Sequence, residues 1–167
     1  TARNATPATT SSTVPTCGVY ELVTTQSYSG DQTPFSYTLA TGTHSIAVVI
    51  VELSGVTTFD QVAQASGSNT GASVSPYSQA VTTGATTQAS EIALAFDSAL
   101  RSNATSPAFA LATASSGWTE SLDLGNFTIS ATVSAGGAIY SKVVRATGTQ
   151  SITTDMTFAN EGSDNNY

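Results

Sequence analysis

Apolar residues in this chain come in short blocks, with turn-forming residues between them at a spacing of about 8–12 residues, which is the spacing of short strands. The clearest block is S-I-A-V-V-I-V-E-L at residues 45–53, ended by Gly55. A continuous apolar run of strand length predicts a central strand covered on both faces. Phe35, Tyr37 and Leu39 alternate with polar residues, which predicts a strand with one wet face. In E-I-A-L-A-F-D-S-A-L (residues 91–100), Ile92, Leu94 and Phe96 fall on one side and small alanines on the other. Propensity would tolerate a helix there, but a period of two favours a strand. Further strands are predicted at 19–25, 59–65, 72–81, 109–113, 118–124, 126–133, 138–145 and 149–158. Pro76 makes 72–81 an edge strand, because proline cannot donate to a ladder. Turns are expected at 40–44, 66–71, Gly136-Gly137 and Gly148. The pattern predicts an all-β chain: an antiparallel Greek-key or jelly-roll-like β-sandwich of about ten short strands.

Three regions differ in texture. Residues 1–16 form a low-complexity N-terminal arm of Thr, Ser, Ala and Pro, too poor in large apolar groups to offset its own ordering entropy. Residues 17–159 carry the sandwich pattern, and residues 160–167 read as a polar, loose C-terminal tail. The chain begins at Thr1 and reads as a mature, processed product.

Composition narrows the chemistry. Serine and threonine make up about a third of the residues, and only 9% are charged, against about 25% in ordinary globular proteins. Lys+Arg number 4 and Asp+Glu 11, for a net charge of −7. Arg3, Arg101, Lys142 and Arg145 form no cluster, so the basic face that supplies nucleic-acid affinity is missing, and nucleic acid is not expected as a partner. No apolar run reaches the roughly 18 residues of a membrane span.

Catalytic groups are sparse. His44 is the single histidine and lies in a predicted turn, where an exposed structural histidine is the simpler reading. No Gly-x-Ser-x-Gly elbow accompanies it. Glu21, Glu52, Glu91 and Glu120 are the candidates for a glycosidase-type carboxylate pair, though Glu52 and Glu91 sit at strand ends, where a sheet-rim hydrogen bond serves as well. One His and one Cys cannot close a zinc site. Asp60, Asp97, Asp123, Asp155 and Asp164 are scattered without a D-x-D-x-D loop, so a structural calcium stays open with no ligand assigned. No enzyme activity, cofactor, catalytic residue or metal ligand is expected. Asn4, Asn103 and Asn126 head N-x-[ST] sequons and are the glycosylation candidates. So many hydroxyl residues produce such triplets by chance, and residues 9–13 could equally carry O-linked sugar. Cys17 is either a free or intermolecular thiol or a small buried hydrophobe. Trp118, Tyr77, Tyr140 and Tyr28 are the aromatic candidates for a glycan platform, although Trp118, at a strand start after Gly117, reads more simply as core.

Several motifs occur in a familiar order: G-V-Y-E-L (18–22), I-V-E-L-S-G-V (50–56), F-D-Q (59–61), A-S-E-I-A-L-A-F (89–96), S-G-W-T (116–119) and I-Y-S-K-V-V…T-G-T (139–149). In this order they resemble a secreted β-sandwich domain family of bacterial and archaeal surface proteins, over about residues 18–158. The resemblance implies an extracellular, cell-surface setting, structural or adhesive, with no shared catalytic residues. Relatives of this type carry further strands before G-V-Y-E-L, where this chain has its polar arm. A sandwich short of an early strand exposes an edge that a neighbour's strand can complete. The composition also resembles donor-strand subunits of extracellular filaments, such as archaeal threads and pili. The expected function is therefore a secreted structural subunit whose main partner is further copies of itself, polymerising through its arm. Ala2, Asn4, Thr6, Ala8 and Val14 are the assembly candidates in that arm, although Pro7 and Pro15 interrupt any ladder it makes. A glycan-binding adhesin and a virion fibre or decoration protein are the alternatives.

Overall fold

The computed structural model describes residues 51, 53–56, 58–70, 77–102, 109–113, 115–130, 133–158 and 164–166. The arm candidates Ala2, Asn4, Thr6, Ala8 and Val14, together with Cys17, Tyr28, His44 and Asn103, lie outside the described residues, as do the strands expected at 19–25 and 35–39.

The described elements are all strands: β1 (Ser68–Thr70), β2 (Tyr77–Ala85), β3 (Glu91–Ser102), β4 (Phe109–Thr113), β5 (Thr119–Ser130), β6 (Val133–Val144), β7 (Thr149–Phe158) and β8 (Asp164–Asn166). They form two antiparallel sheets, one ordered β1-β8-β3-β6-β5 and the other β2-β7-β4. The chain is all-β, with no helix among the described residues.

The long strands follow the sequence pattern closely. β4 and β7 have the expected bounds, and β3 starts at the expected Glu91. β2 begins directly after Pro76 and runs beyond the expected end, to Ala85. It lies at the margin of its sheet among the described strands, as the proline requires.

Other expectations need correction. Residues 59–65 are not a strand; the chain there is held by side-chain bonds from Asp60 rather than by a ladder. The two strands expected at 118–124 and 126–133 are one element, β5, whose register against β6 shifts between Glu120 and Leu122, between Asp123 and Asn126, and between Thr128 and Ser130. The irregularities that glycine and polar residues signalled are bulges, which bend a strand without ending it. Gly136-Gly137 is not a turn either. Both glycines are buried within β6, opposite Ala99 and Ser98. A Cβ on Gly137 would lie 2.8 Å from the Asp97 carbonyl oxygen and 3.2 Å from Leu124 Cδ1, so glycine there permits close backbone approach. The tail expected to be loose contributes β8, which pairs with both β1 and β3 through main-chain bonds that need no apolar side chains.

Both sheets contribute to one core. Ala138 and Tyr140 of β6 meet Ile152 of β7, with Ala95 of β3, Val81 of β2, Leu111 of β4 and Trp118 packed around them. The register explains the membership: Ala95 pairs with Tyr140, Val81 with Ile152, and Leu111 with the fully buried Met156. The side of β3 facing the second sheet is therefore its small side, Ala93, Ala95, Asp97 and Ala99. Small residues leave room there for Tyr140 and Met156. The large residues of β3, Ile92, Leu94 and Phe96, share the opposite face with Ile139 and Val143.

Candidate functional site

Three clusters of chemistry-bearing side chains stand out. The first lies at the β2–β3 connection. Asp60 accepts from the Thr87 backbone N–H at 2.6 Å, from Thr87 Oγ1 at 3.1 Å and from Gln61 Nε2 at 3.3 Å. The Thr87 backbone bond, with smaller side-chain contributions, holds the Asp60 carboxyl below its usual range. Glu91, at the start of β3, lies beside it and is shifted the other way, first by desolvation and then by its bond to Asp60. Glu91 Oε1 is buried and has no donor among the described residues. Two carboxyls pushed apart in this way can share one proton, with protonated Glu91 donating to ionised Asp60. The same turn is tied to the second sheet. Thr86 N donates to the Gly148 carbonyl at 3.0 Å, and Gln150 N donates to Thr83 Oγ1 at 3.0 Å. The pair therefore clasps residues 58–61 to the sheet rim. Of the glycosidase candidates, Glu21 and Glu52 lie outside the described residues. Glu91 takes the rim role, and Glu120 is exposed on β5 opposite Tyr140.

The second cluster is internal. Tyr140 is fully buried, and its hydroxyl has no hydrogen-bond partner among the described residues. Asp97 Oδ2 is likewise buried and unpartnered. Burial raises the Asp97 carboxyl; bonds from the Thr154 side chain and the Ser98 backbone pull it down but do not prevail. Burial, and then the carboxylates of Asp97, Glu120, Asp123 and Asp155, raise the Tyr140 phenol well above its ordinary value, so it stays neutral. A carboxyl whose folded pKa is raised contributes stability that is fully present below its unfolded value and is lost as pH rises through the folded value. For Asp97 the decline starts near 3.8, the ordinary value of an aspartate carboxyl. Asp97→Asn is expected to remove that decline, so that melting curves of variant and wild type diverge with rising pH, the variant being the more stable. Parallel curves would show that Asp97 does not titrate inside the fold.

The third cluster surrounds Trp118. Gly117 has φ +81°, a conformation that favours glycine, and it completes the turn that leads into β5. Trp118 Nε1 donates to the Ser151 carbonyl at 2.7 Å, and Lys142 Nζ lies 5.9 Å from its ring centroid. The indole packs against the core with its polar edge bonded. This is a structural tryptophan, the reading the sequence favoured. Tyr140, another proposed glycan platform, is inside the core and offers no face to a ligand. Tyr77 has the register position of Met156 in β2.

Asn126 lies within β5, opposite buried Gly136, in a strand as its sequence predicted. Asp155 accepts from Ser78 Oγ at 2.5 Å across β2 and β7. Among the described residues no three His, Cys, Asp or Glu side chains gather as metal ligands, and no helix is long and apolar enough to cross a membrane. Sequence reasoning missed the Asp60–Glu91 and Asp97–Tyr140 associations. The only available hint was Asp97 itself, a carboxylate on the alanine side of a strand. No family model, curated protein or solved structure matches this chain.

Proposed function

We propose that this chain is a non-enzymatic, secreted structural subunit that assembles into an extracellular filament or sheath, residues 1–16 of one copy being donated as a strand to the next. The observation that carries this reading is a group of apolar residues that, among those described, belong to neither sheet. Val51, Leu53 and Val62 are exposed and belong to no strand, although each lies in a segment whose sequence predicts one, and Val56 between them is exposed too. A donated strand would cover such residues and supply ladder partners at the same time. The two-sheet, all-β core is compatible with the finer architecture inferred from sequence, a Greek-key or jelly-roll-like sandwich of about ten strands. Scarce charge supports the reading as well, since stacked copies repel each other less when each carries few charged groups.

In this reading the subunit's partners are copies of itself, and it needs no cofactor. Sugars on Asn4, Asn103 or Asn126 would coat the outside of the polymer. Deleting residues 1–16 is expected to abolish filaments in negative-stain micrographs and leave a monomer with an unchanged β-sheet circular dichroism spectrum. Filaments formed equally well by the truncated chain would defeat strand donation.

A further inference from the structure

Residues 58–61 join no ladder, yet they are seated on the sheet rim. Asp60 receives the Thr87 backbone N–H on Oδ2 at 2.6 Å and the Thr87 hydroxyl on Oδ1 at 3.1 Å. Gln61 lies over Gly84, where a Cβ would come within 2.8 Å of its Oε1. β2 breaks its register against β7 at the same place, between Thr82 and Ala85. Glu91 closes the contact from the start of β3. Its carboxyl lies against Asp60, and its Oε1 is buried with no donor among the described residues. The β2–β3 connection that carries Thr87 is itself anchored. Thr86 N donates to the Gly148 carbonyl at 3.0 Å, and Gly148 N donates back to Thr86 Oγ1 at 3.3 Å. One side of the contact is thus fixed to the β6–β7 turn, while the other, residues 58–61, has no ladder to hold it.

Two carboxyls in contact offer each other acceptors and no donor unless one of them keeps a proton. We infer that Asp60 and Glu91 form a proton-operated latch: one proton shared between them keeps residues 58–61 on the rim, and its loss releases them. The charged surroundings supply no substitute for that proton. The connection contributes Thr86, Thr87 and Gln88, and β2 and β7 contribute Thr83, Gly84, Thr149 and Gln150, none of them charged. On β6, Val144 pairs with Glu91, Lys142 shares its face two residues away, and exposed Arg145 follows. The Lys142 amine lies over the Trp118 ring, and the charge felt at Glu91 is that of Asp60.

The direction of the switch follows from the two carboxyls. Desolvation first, then the bond to Asp60 and its charge, raise Glu91 against a weaker backbone bond from Gln88. Its contribution is fully present below its ordinary value of 4.5 and is lost as pH rises through the raised value. The Thr87 backbone bond leads in lowering Asp60, whose contribution is present above 3.8 and lost as pH falls through the lowered value. The latch is therefore tightest in weak acid and opens toward neutral pH. Opening frees a segment in which Val56, Phe59 and Val62 are 45%, 40% and 49% exposed, so pH controls how this apolar stretch is presented. The latch stands whether or not residues 1–16 are donated.

The test is amide hydrogen exchange of the full chain across the acid-to-neutral range, corrected at each pH for the intrinsic rate. The Thr87 amide is expected to lose protection as pH rises, while amides of the β3–β6 ladder keep theirs. In Glu91→Gln the side-chain amide donates to Asp60 at every pH, so Thr87 is expected to stay protected throughout. Wild-type Thr87 protected equally at both ends of the range would overturn the latch, because Glu91 would then turn away alone on ionising. Loss of protection in Glu91→Gln as in wild type would overturn it too. Carbon-13 titration of the Glu91 carboxyl gives a second measurement that does not need that variant. Its midpoint should fall in Asp60→Asn, and an unchanged midpoint would show that the two groups share no proton.

Discussion

Tyr140→Ala is expected to cost about 3–5 kcal/mol, enough to unfold a marginal domain, whereas Tyr140→Phe is expected to cost nothing or to stabilise by about 1 kcal/mol. The contrast follows from the two ends of one side chain. The ring is fully buried where the sheets meet, among Ala95, Ala138, Val81, Leu111 and Ile152. Truncation to alanine removes that packing and leaves a cavity lined by small residues. Ala95 and Ala138 cannot lean in to fill it. The hydroxyl is different. It is buried without a hydrogen-bond partner among the described residues, beside a carboxyl that shares its environment. Removing an unsatisfied buried polar group relieves a desolvation penalty. Urea denaturation of both variants decides the matter. A phenylalanine variant destabilised as much as the alanine variant would mean that the hydroxyl has a partner after all.

Why the fold was more legible than the site can be argued from particular residues. β7 and β4 were readable to the residue because their pattern is local: apolar and small residues alternate between two breakers. β5 was readable as strand but not as one strand. Gly125 and Asn126 look like a break, and only the pairing with β6 reveals bulges instead. Gly136-Gly137 misled for a related reason. Glycine signals either a turn or close backbone contact, and the neighbour that makes the contact, Asp97, is 40 residues away in sequence. The β8 pairing was hidden because main-chain ladders leave no hydrophobic pattern in Asp164, Asn165 and Asn166.

The face of β3 is the subtler lesson. The alternation of E-I-A-L-A-F-D-S-A-L was plain, but periodicity does not say which side is the core. The larger residues are the natural choice, and the register makes the opposite assignment: alanines face the second sheet, because Tyr140 and Met156 supply the bulk there. The clasp of Asp60 with Glu91 was not legible at all. It joins residues 31 positions apart through a turn, and no spacing rule connects them.

Facing can be tested on the central strand of the smaller sheet, where neighbouring residues should behave oppositely. Met156→Ala is expected to cost about 2–5 kcal/mol, and Thr157→Ala less than about 0.5 kcal/mol. Met156 is fully buried, with Tyr77 of β2 and Leu111 of β4 as its partners in register, so it is flanked on both sides within its sheet and covered by the other sheet. Its thioether chain is flexible enough to fill an irregular gap in the core, and alanine would leave that gap empty. Thr157 is one residue further along β7, pairs with Ala110 and is exposed. Side chains in a strand alternate faces, so a one-residue slip of β7 would exchange the two roles. Chemical denaturation of the pair therefore reads the register directly. A large loss at Thr157 with tolerance at Met156 would place β7 one residue out of its described pairing. Equal, small effects at both would mean that the two sheets do not close on a common core, and the packing around Tyr140 would fail with them.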